Sequence, residues 1–109
     1  MTQQMNNNPT AIATFDSSYR LVAIFKSISE ASTLTGILRQ SIIKAAYGDI
    51  IAVKKRYWRV VPPDFQIEPD DIGVLTLFEF DSFIGENRKI YANKKMKKSS
   101  IIYENEYKK

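Results

Sequence analysis

The chain contains no cysteine and no histidine among its 109 residues. Without cysteine there is no disulfide framework, no thiolate zinc site and no thiol nucleophile. Without histidine the usual general base at neutral pH is missing, and with it the commonest metal ligand. Serine–histidine triads, HNH-type nuclease chemistry and histidine-bearing zinc fingers are thereby excluded. No apolar run approaches the roughly 18 residues of a membrane-spanning helix, and no basic-then-apolar leader opens the sequence. Glycine occurs only at positions 36, 48, 73 and 85, so no glycine-rich phosphate loop can form. What is present is a 44% hydrophobic and 12% aromatic composition, enough for one modest core.

Charge is segmented along the chain. Residues 1–61 sum to +5, residues 62–86 to −7 without a single base, and residues 87–109 to +6. The basic blocks suit a polyanion, because each neutralised phosphate releases condensed counterions. Alternatively, the acidic segment folds back on a basic one and the fields cancel.

Residues 1–10 are polar and aperiodic and read as a disordered leader. Two apolar runs, residues 11–15 and 21–25, flank the Asp16-Ser17-Ser18 turn and predict an antiparallel hairpin. Ser27-Ile28-Ser29-Glu30 is a capping box that opens a short helix, and Gly36 ends it. Arg39 to Tyr47 then runs without a breaker to Gly48, predicting a second helix and hence a helix–turn–helix pair. Advancing about 100° per residue puts Leu38, Ile42, Ala45 and Ala46 on its inner side. Gln40, Ile43, Lys44 and Tyr47 fall on the outer side, with Arg39 at the flank. A closing strand follows at residues 57–61, with Trp58 and Val60 on one face and Tyr57, Arg59 and Val61 on the other. Trp58 reads as core, and Lys54, Lys55 and Arg56 read as solvent-exposed. Residues 62–72 read as an acidic linker after Pro62-Pro63. Residues 73–109 read as a β-rich C-terminal extension, with a strand over residues 74–80, a return at residues 88–91 and a further strand at residues 101–103. Lys94, Lys95, Lys97 and Lys98 form a basic run within it. The expected class is α+β: a small antiparallel sheet packed on a helix–turn–helix pair, followed by that extension.

Several residues make up a further pattern: Phe15-Asp16, Phe25-x-Ser27-Ile28-x-Glu30-Ala31, Thr35-Gly36-Ile37, Ile42 and Trp58-Arg59. Across residues 12–61 this resembles the NUMOD family, nuclease-associated modular DNA-binding domains found beside homing endonucleases and in phage-like proteins. The chain departs from the family at three places. Leu38 replaces a capping serine, Tyr19 holds a turn position usually given to glycine, and Lys54-Lys55 replaces a Gly-Gly pair. The resemblance implies DNA contact through the second helix in a bacterial or phage-encoded, cytoplasmic setting, as in mobile elements.

On this reading the protein is not an enzyme and needs no cofactor. A GIY-YIG nuclease domain does not fit in the remaining residues. The carboxylates of Asp70-Asp71 and of Glu79 and Asp81 read as solubilising charge rather than a magnesium site. Arg39, Gln40, Lys44, Tyr47, Lys54, Lys55 and Arg56 are the expected contacts to duplex DNA, with further backbone contacts from Lys94, Lys95, Lys97 and Lys98. The alternative is a protein-interaction or phage structural module that keeps the fold without binding DNA; a third reading is an adaptor whose C-terminal half binds a protein partner while residues 12–61 bind DNA.

Overall fold

The computed structural model describes residues 10–91 and 101–104. The basic run Lys94, Lys95, Lys97 and Lys98 lies outside the described residues, as does nearly all of the expected leader. The fold is α+β. Strands β1 (Ile12–Phe15), β2 (Leu21–Phe25) and β3 (Tyr57–Val60) form an antiparallel sheet in the order β2-β1-β3. Central β1 pairs Ile12 with Phe25 on one side and with Val60 on the other. All its residues are buried because both faces of the sheet are covered.

Helices α1 (Ile28–Thr35) and α2 (Arg39–Tyr47) cover the first face. The α1 start is built as its sequence implies, since Ser27 Oγ accepts the Glu30 amide at 3.0 Å. Glu30 reaches back one residue further than a standard box, accepting the Lys26 amide at 2.7 Å. Trp58, fully buried, lies against Phe25 and beneath Ile42, Ala45 and Ala46 of α2. Leu38 does not join them. It is the N-cap of α2, with extended backbone angles, and is 74% exposed.

The second face carries the segment after β3, and here the sequence-based expectation needs correction. Residues 74–80, expected as a strand, lead into helix α3 (Leu77–Ile84). Thr76 and Glu79 form a reciprocal capping box, and Leu77, Phe80 and Asp81 recur at helical spacing on the buried side. The extension is therefore helical as well as β. Strand β4 (Lys89–Tyr91) does not return along residues 74–80 but pairs with β5 (Ile101–Tyr103). Residues 62–72 carry a single 3-10 turn at Pro69–Asp71, and Phe65 and Ile67 pack into the second core beside Phe80 and Leu77.

Two tyrosines of the hairpin and closing strand hold β4 in place. The Tyr19 hydroxyl donates to the Tyr91 carbonyl, and the Tyr57 hydroxyl accepts the Tyr91 amide at 3.0 Å. Burial pushes the Tyr57 hydroxyl well above the usual tyrosine range, so it stays protonated. Tyr19 itself has a φ of 68°, a left-handed conformation that costs a side-chain-bearing residue roughly 1–2 kcal/mol. Burial of the ring and the hydroxyl's bond to β4 offset that strain.

Asp81 is buried, not solubilising. Its carboxylate receives Arg59 Nε at 2.8 Å and Nη2 at 2.9 Å, both side chains being 1% exposed. Arg59 Nη1 also donates to the Trp58 carbonyl at 3.0 Å. Glu104, just after β5, is buried too, with Oε1 accepting the Arg88 amide at 3.2 Å. Its Oε2 is buried and receives no donor among the described residues, and the protonated carboxyl itself donates to Asp81. Burial, followed by the bond and repulsion from Asp81, pushes the Glu104 carboxyl up to about 8 against the opposing Arg88 amide bond and the pull of Arg59.

Such a shift fixes the sign of a pH dependence. A carboxyl that titrates near 4.5 in the unfolded chain and near 8 in the fold keeps a proton that the unfolded chain has lost. Stability should therefore fall as pH rises between those values, by up to about 1.4 kcal/mol per pH unit. Urea melts across that range should show the decline, and Glu104→Gln should flatten it and raise stability at the alkaline end.

Candidate nucleic-acid interface

Helix α2 presents the outer face that its sequence implies. Arg39 and Gln40 in the first turn, Lys44 in the middle and Tyr47 at the end are exposed, whereas Ile42, Ala45 and Ala46 are buried. Ile43, between Gln40 and Lys44 on that side, is half-buried. The outer surface is consequently cationic and hydrogen-bonding, interrupted by one aromatic ring.

The α2 C-terminus is closed by Gly48, whose φ of 94° requires glycine. A Cβ there would also meet the Arg88 guanidinium at 3.4 Å. Arg88 uses that space to donate Nη2 to the Ala45 carbonyl at 2.9 Å and to hold Glu86 at 2.8 Å. A cation at the C-terminal end of a helix also complements its dipole. The extension after residue 61 thus helps to fix α2, a role that local sequence patterns do not reveal.

Lys54 and Lys55 occupy the tip of a tight turn. Val53 and Arg56 exchange both backbone bonds at 3.0 Å, and the two lysines have φ values of 54° and 60°. Positive φ at both central residues is the geometry that Asn-Gly and Gly-Gly turns adopt readily. The chain keeps that backbone while placing two exposed charges on it. The turn is tied to the core through Trp58, whose Nε1 donates to the Val53 carbonyl at 3.4 Å. One tryptophan therefore positions both α2 and the lysine turn. Arg56 is half-buried rather than fully exposed, a correction to its expected placement.

None of Arg39, Lys44, Lys54, Lys55 or Arg56 forms an ion pair with another described residue. The pairs found there are Arg59–Asp81 and Arg88–Glu86. Four of the seven acids of residues 62–86 are engaged elsewhere. Asp81 holds Arg59, Glu86 holds Arg88, and Asp71 and Glu79 accept backbone amides at helix starts. The apolar side chains Phe65, Ile67, Leu75, Leu77, Phe78, Phe80 and Ile84 of that segment pack on the sheet face opposite α2. Direct pairing between the acidic segment and the α2 cations, the alternative left open by the charge pattern, is absent among the described residues.

Among the described residues no group of three or more acidic side chains could hold a metal ion, and no helix is long and apolar enough to cross a membrane. No family model, no curated protein and no solved structure matches the chain.

Proposed function

We propose that the protein is a non-catalytic, sequence-tolerant DNA-binding module of the NUMOD kind, with α2 laid against duplex DNA. Arg39 and Gln40 then lie at the helix end that meets base edges in helix–turn–helix docking, with Lys44 and Tyr47 further along. Lys54, Lys55 and Arg56 contact phosphates, and Lys94, Lys95, Lys97 and Lys98 supply further backbone contacts. The observation that carries this reading is the set of unpaired cations on α2 and the Lys54-Lys55 turn, remote in pairing from every described acid. It accords with a bacterial or phage-encoded accessory protein acting in the cytoplasm.

The test is an anisotropy titration of a short mixed-sequence duplex at several salt concentrations. Neutralising roughly four phosphates gives a slope of log K against log salt near −4, at ~0.9 per phosphate. Lys44→Ala should weaken binding and make the slope shallower by about 0.9, with the melting temperature nearly unchanged. Affinity that stays flat from low to physiological salt would overturn the proposal.

A second reading has its own observation. Phe83 is 73% exposed on α3 and lies 5.6 Å from the Phe65 ring, beside a cleft lined by Pro62, Asp64 and Ile84. A protein partner for the C-terminal half would use that surface, and a folded chain with a flat DNA titration would favour it.

A further inference from the structure

We propose that Leu38 reads thymine methyl groups, so that the module favours A·T base pairs in the major groove; this rests on the DNA-binding reading above. The starting observation is an apparent waste in the helix–turn–helix connection. Position 38 is the N-cap of α2, where serine, threonine, aspartate or asparagine would accept an orphan amide. Leucine provides no such bond, and none is present at this helix start. Nor does the side chain contribute to either core, being 74% exposed. A residue that helps neither the helix nor the core breaks local consistency, and such breaks concentrate at functional positions.

The backbone around Leu38 is firmly held. Ile37 is buried in the first core, Ser32 Oγ donates to its carbonyl at 2.6 Å, and Thr35 Oγ1 accepts its amide at 3.2 Å. Leu38 is therefore displayed from a fixed turn rather than a loose loop. Leu34, near the end of α1 on the same connection, is 68% exposed. Arg39 and Gln40 follow directly in the first turn of α2, with Lys44 a turn further on, and neither Arg39 nor Lys44 forms an ion pair with a described residue. An apolar side chain beside free cations fits a surface that is anionic overall yet locally apolar. The major groove provides this in one place, the thymine C5-methyl, since the other groups on base edges there are polar donors or acceptors. Gln40, two residues on, has the paired donor and acceptor that match adenine, the partner base of thymine.

The experiment compares the full-length protein on an A·T-rich duplex and on the same duplex with deoxyuridine in place of thymidine, which deletes only the methyl groups. Binding should weaken about fourfold for each methyl contacted, the transfer free energy of one such group. Leu38→Ser, which supplies the missing cap, should keep the protein folded while bringing the thymine-to-uracil affinity ratio close to one. Salt-dependent binding with equal affinity for both duplexes would overturn the inference and leave the DNA-binding reading standing. A thymine preference that persists in folded Leu38→Ser would overturn the assignment to Leu38. Should that variant fail to melt cooperatively, Leu38→Ala replaces it in the same comparison. Salt-independent or absent binding to every duplex would remove the underlying reading, and this inference with it.

Discussion

Arg59→Ala is expected to cost about 3–5 kcal/mol, the usual penalty for leaving one member of a buried ion pair without its partner. A fold of this size is held by roughly 5–15 kcal/mol, so much of the population should unfold near neutral pH. Asp81 would keep its burial but lose its guanidinium bonds, and Glu104 would lose the pull of the Arg59 charge. The buried Asp81 carboxylate without its cation is what carries the penalty. Urea denaturation followed by tryptophan fluorescence measures it. A double replacement, Arg59→Met with Asp81→Leu, should recover part of the loss, because an apolar pair avoids the desolvation penalty while Glu104 loses its Asp81 partner. A single variant as stable as the parent would show that the pair is not buried in solution.

Trp58→Ala should be as damaging for a different reason. Truncating a buried aromatic residue removes its transfer energy and leaves a cavity, together typically about 3–5 kcal/mol. Here the ring is fully buried between Phe25 and the underside of α2. It also ties down the Lys54-Lys55 turn through Val53. Calorimetry should register a large fall in melting temperature, and DNA affinity should fall with the fraction folded. The contrast with Lys44→Ala is diagnostic, since that variant should lose affinity while melting normally. A parental melting temperature for Trp58→Ala would contradict the packing described above.

What could be read from the sequence follows from how local each determinant is. The hairpin, the Ser27 cap, the Gly36 and Gly48 stops and the two faces of β3 are set by neighbouring residues, and each occurs where the pattern puts it. The exposed side of α2 was legible for the same reason. The apolar run of α3 also satisfies strand preferences, and the signal that decides for a helix is the short-range capping box of Thr76 with Glu79. Asp81 looked like surface charge because its partner Arg59 is twenty-two positions away in the chain. Helical periodicity points Leu38 inward, but its backbone is not yet helical and the side chain faces out.

The pair of hydroxyls that grip Tyr91 also bears on how the protein behaves in company. Strands at the margin of a sheet expose amides and carbonyls that invite a strand from another molecule. On β4 the Tyr91 groups that do not serve β5 are already taken by Tyr19 and Tyr57. Leu21 at the start of β2 is likewise occupied, giving its amide to the Leu75 carbonyl and accepting from Gly73. At these two points side chains and a returning loop stand where an intruding strand would have to bond. Removing the hydroxyls, as in Tyr19→Phe with Tyr57→Phe, would uncover one of those margins and open a route to edge-to-edge self-association.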